Sequence, residues 1–222
     1  LHKLGVEDID IWPEATLYNG ILPEDPDIAP RLKRLANQAD DKPGDLTELH
    51  VKLQYDFVDD LGRAYIATDG GCRHQQDHRF RSAGWGVFGN GWWCSRPLRG
   101  VDQTAVKAEL RGALAAIEAA ATEGARIHLI IDNEYVAQTI LQFINGNIGV
   151  IKDSCSRSCH RELWRRVFGA LETISGMLPD TDFPIWVTWV PSHKGKEDAI
   201  SKGIDLKIWD LNRNADILAN DA

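Results

Sequence analysis

Apolar and polar positions divide the chain into an irregular first quarter and a patterned remainder. His50 to Phe57 alternates cleanly, with Val51, Leu53, Tyr55 and Phe57 on one side and His50, Lys52, Gln54 and Asp56 on the other. That alternation predicts a half-buried strand, with a turn at Asp59-Asp60-Leu61-Gly62 after it. Ala64–Asp69, Gly84–Phe88 and Trp92–Leu98 predict three further strands with glycine turns between them. Thr104–Glu123 has a helical period: Val106, Leu110, Ala113, Leu114 and Ile117 share one apolar stripe about 100° wide. Arg111 and Glu118 fall on what this wheel makes the wet face. Arg126–Asp132 is apolar on both faces, as a buried parallel strand is. Helices are predicted over Glu134–Ile144 and about Arg157–Ser175, a strand over Ile185–Val190, and a short last helix near Arg213–Ala222. Strands interleaved with helices in this order specify an α/β fold, a mixed sheet with helices against it.

Composition changes that picture only at the ends. With 222 residues, 43% of them hydrophobic, and 8 Trp, the chain can bury a sizeable core, which excludes disorder of the whole. No apolar run approaches the roughly 20 residues of a membrane-spanning helix, so no membrane partner is expected. Leu1 stands where Met opens most chains, with no secretory leader behind it, and this reads as an internal piece of a longer polypeptide. Five of the nine prolines (Pro13, Pro23, Pro26, Pro30 and Pro43) precede residue 48, where only Ile28–Ala39 has the makings of a short helix. Residues 1–60 are therefore expected to be an acidic, Pro-rich extension or linker carrying one strand, and 61–222 the domain proper. Cys72, Cys94, Cys155 and Cys159 are too few and too irregular for a disulfide framework, and Cys155, Cys159 and His160 lack the second ligand pair of a zinc finger. Reduced thiols in an intracellular protein are the expectation.

Charge separates the same two regions. The formal charge is −8, yet residues 1–60 hold 6 Lys+Arg against 14 Asp+Glu, while residues 61–222 hold 19 of each. The whole imbalance lies in the extension, so the neutral domain can still present a basic stripe to a polyanion.

The candidate chemistry is carried by carboxylates. Asp69 closes a strand and precedes Gly70-Gly71; alone, that is turn chemistry. Asp132 ends the buried strand before Asn133; alone, it is an N-cap for the helix at Glu134. Together, adjacent parallel strands ending in Asp place two carboxylates at the carboxyl edge of a sheet, where such folds bind ligands. Glu109 sits at the border of the apolar stripe and aims an acid at the sheet, and Asp216 lies beside the apolar pair Ile217-Leu218. Four converging carboxylates repel one another and raise their own pKa values. Hard divalent cations remove that penalty, and two of them about 4 Å apart suit an in-line phosphoryl displacement. Metal-dependent phosphodiester chemistry follows; the substrate does not.

Six motifs then occur in a recognisable order. They are Thr68-Asp69-Gly70-Gly71-Cys72, Ala108-Glu109-Leu110, Ile131-Asp132-Asn133-Glu134-Tyr135-Val136, Glu162-Leu163-Trp164, Trp189-Val190-Pro191-Ser192-His193-Lys194-Gly195 and Asn214-Ala215-Asp216-Ile217-Leu218-Ala219. Over about residues 63–222 the chain resembles the type 1 ribonuclease H family. The resemblance implies a ribonuclease H-like fold, a five-stranded mixed sheet flanked by helices. It implies Asp69, Glu109, Asp132 and Asp216 as metal-binding catalytic acids for two Mg²⁺ ions (Mn²⁺ as a substitute), and His193 as a loop histidine assisting proton transfer or product release. Gly70, Gly71, Cys72 and Asn133 would contact an RNA/DNA hybrid, whose RNA strand would be cut to 5′-phosphate and 3′-hydroxyl ends. A retroelement polyprotein with an upstream reverse transcriptase, or a free-standing cellular enzyme, would be the parent.

The sequence departs from the family pattern in three places. Thr104-Ala105-Val106-Lys107 stands where many members have an Asn-rich turn, and Asn145-Gly146-Asn147-Ile148-Gly149 is all that remains of a basic handle. The stretch between His193 and Asp216 is lengthened and contains Lys194, Lys196, Lys202 and Lys207. Arg157, Arg161 and Arg165, with Arg166 beside them, recur at helical spacing as either a solvated face or a phosphate-binding ridge. Competing functions are a non-catalytic nucleic-acid-binding or scaffold domain of the same fold, and a DNA-cutting relative of the transposase or integrase kind. The presence of all four acids weighs against the first, and the Asp216 and His193 motifs against the second.

Overall fold

The computed structural model describes residues 58–76, 81–89, 92–100, 102–178, 183–192 and 195–222. The strand expected at His50–Phe57, the helix at Ile28–Ala39 and the loop histidine His193 lie outside the described residues. Among the described residues there are five strands: β1 (Ala64–Arg73), β2 (Ser82–Gly89), β3 (Trp92–Pro97), β4 (Ile127–Ile131) and β5 (Ile185–Trp189). The helices are α1 (Ala105–Glu123), α2 (Glu134–Ile144), α3 (Ile148–Ser156), α4 (Arg161–Met177), α5 (Lys196–Ser201) and α6 (Leu206–Asp221). The sheet runs β3-β2-β1-β4-β5, with β1–β2 and β2–β3 antiparallel and β1–β4 and β4–β5 parallel. This is the mixed five-stranded sheet that the pattern of strands and helices specified.

Helices cover both faces. On one side Ile66, Trp85, Val87, Leu129 and Ile131 of the sheet meet Leu110, Leu114 and Ile117 of α1, and beyond them Trp164 and Phe168 of α4. Phe168 stacks on both Phe143 (5.0 Å between ring centres) and Trp164 (5.5 Å), which ties α2 to α4. A smaller cluster on the other face joins Ala67, Ile130 and Val190 to Leu211 and Ala215 of α6. The polar residue within β4, His128, is satisfied across the sheet: Nδ1 lies 3.0 Å from Asp59 Oδ2 and Nε2 2.7 Å from Thr188 Oγ1.

Several local readings are corrected by tertiary pairing. β1 does not end at Asp69; Gly70 and Gly71 continue it, paired with Trp85 and Gly84 of β2. Arg111 is buried, not wet, with its guanidinium 4.9 Å from the centre of the Trp85 ring. Glu118 is an ion-pair partner of Arg166 at 2.9 Å. Helix α1 is a buried middle layer: Arg111 lies against Trp85 of the sheet, and Glu118 against α4, which packs on α1. The helix expected from Arg157 begins at Arg161, and the handle remnant opens a separate helix, α3, which buries Ile151 and Cys155. The last helix begins at Leu206, not near Arg213, and Asp205 caps it by accepting from the Lys207 amide at 2.8 Å. The lengthened stretch before Asp216 is thus largely α5 and the first turns of α6.

Candidate active site

Three elements bring three acids together. β1 carries Asp69, α1 carries Glu109, and Asp132 follows the last residue of β4. The parallel register aligns Thr68 with Ile131, so the next residue on each strand is an aspartate. All three are buried, and one carboxylate oxygen from each lies within 4.8 Å of the other two.

Glycine decides how close the helices come. A Cβ on Gly70 would lie 2.1 Å from the Glu109 amide nitrogen, so α1 rests directly on the β1 backbone and delivers Glu109 beside Asp69. On the other face, a Cβ on Gly86 would lie 2.5 Å from the Ala215 carbonyl oxygen. That close seating brings the next residue, the half-buried Asp216, near enough to Asp69 for its charge to raise the Asp69 pKa. Asn220 Nδ2 donates to Asp216 Oδ1 at 2.8 Å and orients it.

The electrostatics are those of a site short of positive charge. Burial first, then the charges of Asp132 and Asp216, push Asp69 up to about 8. Burial, Asp132 and Asp69 hold Glu109 well above the ordinary range. Glu109 Oε2 is buried without a hydrogen-bond partner among the described residues. An all-oxygen donor set with an orphaned buried carboxylate oxygen fits a hard divalent cation.

That fit has a thermodynamic signature. A carboxyl whose folded pKa is raised binds more protons folded than unfolded, so its contribution to stability is lost as pH rises through that window. Between pH 6.5 and 8 the metal-free protein is therefore expected to lose melting temperature with rising pH, one carboxyl supplying at most about 1.4 kcal/mol per pH unit. His128 and His160 are pushed down by burial and act oppositely, but only below their ordinary value of 6.5. Divalent cation should restore more stability at pH 8 than at pH 6.5. Melting curves with chelator and with Mg²⁺ check this, and a flat or rising metal-free profile would contradict it.

The other expected site residues are placed unevenly. Asn133, not Asp132, caps α2: its Oδ1 accepts from the Val136 amide at 3.2 Å, which leaves the Asp132 side chain to the acid cluster. Gly71 faces α6, with Asn220 Oδ1 and the Ala219 carbonyl oxygen 3.2 and 3.3 Å from where its Cβ would be. Helix packing thus requires glycine at position 70, whereas at position 71 a methyl group would be a tight fit that a small shift of α6 could relieve. Half-buried Cys72 donates through Sγ to the Gln103 carbonyl at 3.4 Å, and burial pushes its thiol pKa up. Pro191 and Gly195 line a cavity of about 340 Å³ with Asp132 and Asp216.

Two features were not recognisable as site elements in the sequence. Trp189 Nε1 donates to the Asp132 carbonyl at 3.0 Å, fastening the end of β5 to the end of β4; only the parallel pairing reveals that contact. The arginines do not form one ridge. Arg157 lies between α3 and α4 and pairs with Asp153 at 2.8 Å, Arg165 with Glu162 at 2.5 Å and Arg166 with Glu118. Cations collect instead at a cavity of about 450 Å³ where α1 meets α4, with Arg99, Lys107, Arg111, Arg165 and Arg166 against Asp102 and Glu162.

Fold and acid cluster together describe an α/β domain whose buried carboxylates could hold a metal ion. The RNase H family model matches residues 62–222, and the chain belongs to that family. No relative among curated proteins matches it. Among solved structures, it is similar to the RNase H domain of prototype foamy virus, at 19% identity over 72% of this chain and 93% of that one, with a TM-score of 0.51. It is also similar to the protease-reverse transcriptase of that virus, at 20% identity over 72% of this chain, with a TM-score of 0.51. The matched region spans 20% of the protease-reverse transcriptase chain. At these identities the likeness is one of fold.

Proposed function

We propose that this protein is a metal-dependent endonuclease that hydrolyses the RNA strand of RNA/DNA hybrids, leaving 5′-phosphate and 3′-hydroxyl ends. The observation that carries the reading is the buried cluster of Asp69, Glu109 and Asp132, within 4.8 Å of one another, in a chain of the RNase H family. Asp69, Glu109, Asp132 and Asp216 would hold two Mg²⁺ ions, with Mn²⁺ as a substitute. Bound there, divalent ions supply Lewis-acid activation of water and neutralise charge on the scissile phosphate. The chain's own residues do the rest. Trp189 keeps the Asp132 backbone at the sheet edge, and Asn220 orients Asp216. His193 carries a proton to or from the mouth of the site. Gly70, Gly71, Cys72 and Asn133 form the wall met by the RNA strand, and the cationic cavity between α1 and α4 takes a backbone phosphate of the duplex. Residues 1–60 serve as a linker to an upstream domain such as a reverse transcriptase, and 61–222 as the nuclease domain.

Labelled RNA annealed to DNA is the test, with Mg²⁺ and with chelator, beside duplex RNA and duplex DNA. Metal-dependent cutting of the hybrid's RNA strand alone is expected. Hybrid binding without cutting would favour a scaffold role, and cutting of duplex DNA would point to a different nuclease.

A further inference from the structure

A band of aromatic side chains crosses the end of the sheet opposite the acids. Gly86 and Phe88 alternate along β2, so Phe88 shares the face on which α6 seats against Gly86. Its partner on β3, Trp93, lies on that face too and is 62% exposed. Further across, Tyr65 of β1 stacks on His128 of β4 at 4.7 Å, and His128 pairs in register with the exposed Trp186 of β5. Tyr65 and Phe88 are only partly buried. Ile208, in the first turn of α6, packs beside them, and the helix runs from there toward Asp216 and the acids. Adjoining exposed aromatics of this kind mark a docking surface.

The point where the chain enters the sheet selects the occupant. Val58 forms an antiparallel bridge to Ala64, whose other side is taken by Ile127 of β4, so Val58 stands on the β2 side of β1. That column closes almost at once, because Ile66 already pairs with Gly89 at the end of β2. The ladder therefore has no room for the residues ahead of Val58, which must leave the plane of the sheet. One face is filled by the main core under α1. The turn after Val58 lies on the other, where Asp59 Oδ2 is 3.0 Å from His128 Nδ1. The segment leading into Val58 is His50–Phe57, in which Val51, Leu53, Tyr55 and Phe57 alternate with polar residues and call for an apolar partner. Extended, residues 51–57 span about 23 Å, and β3 is about 10 Å from β1, so the reach suffices. We propose that residues 50–57 lie across this band, with Val51, Leu53, Tyr55 and Phe57 turned onto Phe88 and Trp93. The folded unit then begins at His50 rather than at residue 61, and any linker is confined to the residues ahead of it. The proposal is independent of the nuclease reading.

Melting curves of the full chain test this. Leu53→Ser/Tyr55→Ser removes the apolar side of the segment, and Lys52→Ser/Gln54→Ser alters its polar side as a control. The first pair should lower the melting temperature by about 5 °C and the second by less than about 1 °C. Trp93→Ala then locates the segment. With nothing over it, a side chain 62% exposed is a surface position, and its loss should shift melting by no more than about 2 °C. Beneath the segment, the same substitution should cost about 5 °C. In the Leu53→Ser/Tyr55→Ser background most of that cost should vanish, since substitutions at contacting residues are not additive. Equal Trp93→Ala shifts in the two backgrounds would overturn the proposal, as would an unchanged melting temperature in Leu53→Ser/Tyr55→Ser. A melting temperature that rises with protein concentration would also overturn it, by assigning the band to a second copy of the chain.

Discussion

Asp132→Asn is expected to abolish hybrid cleavage while making the metal-free protein more stable. Asn has nearly the shape of Asp, and the bond from Trp189 goes to the residue-132 backbone carbonyl, so the geometry at the end of β4 survives the change. What disappears is one negative charge, and that charge contributes to raising the pKa of both Asp69 and Glu109. With it gone, the two remaining acids ionise more easily at pH 8. The relief should be about 1 kcal/mol, a gain of a few degrees for a domain of this size. The metal-binding set loses a charged ligand at the same time. Loss of an outer-shell partner alone costs about 10- to 100-fold, so cleavage should fall by more than about a hundredfold. Opposite signs in the two measurements are the discriminating feature, since a misfolded variant would lose both. Unchanged cleavage would remove Asp132 from the site, and a lower metal-free melting temperature would remove the repulsion argument.

The largest effect on stability is expected from Gly70→Ala. The added methyl would sit 2.1 Å from the Glu109 nitrogen, 2.6 Å from the Ala108 carbonyl carbon and 2.7 Å from the Glu109 Cα, all backbone atoms of α1. No side-chain rotation relieves such a contact; the helix must withdraw from the sheet. Overpacking in a well-packed core typically costs about 1–3 kcal/mol and occasionally more. A whole helix must move here, so a loss of about 3 kcal/mol or more is expected, roughly 10 °C. Metal affinity should fall as well, because α1 carries Glu109 with it. Gly149→Ala is the control: nothing lies within 4 Å of the position, and it is inside helix α3. Replacing that glycine should add about 0.5–1 kcal/mol. Thermal melts of both variants decide the matter, and equal melting temperatures would show that the helix can yield at Gly70 without cost.

The acids were legible because each announces itself locally. Asp69 and Asp132 stand at matching places on two β-patterned segments, and Glu109 breaks an otherwise apolar border on a helix. The gathering of Asp69 and Asp132 follows from the parallel pairing of β1 with β4, and that of Glu109 from the seating of α1 on Gly70. Asn133 shows the limit of that reasoning. Asp and Asn are equally good caps, so nothing in the local sequence favours Asn133 over its neighbour. The structure divides the labour because the Asp132 side chain is committed to the cluster.

Periodicity and residue chemistry by themselves determined the α/β class, the five strands and three of the longer helices, because a strand or helix with one buried face repeats at a short fixed interval. They also determined which carboxylates were available for chemistry. Only the tertiary structure decided that Gly70-Gly71 is strand, that Arg111 is core, that the arginines pair off with Asp153, Glu162 and Glu118, and that α6 begins at Leu206. Each of these depends on what lies opposite: β2 beside the glycines, α4 over α1, and a sheet surface of glycines smooth enough to seat α6. A residue's own neighbours in the chain hold no record of those partners, and packing and pairing energies, unlike propensity, are set across the fold.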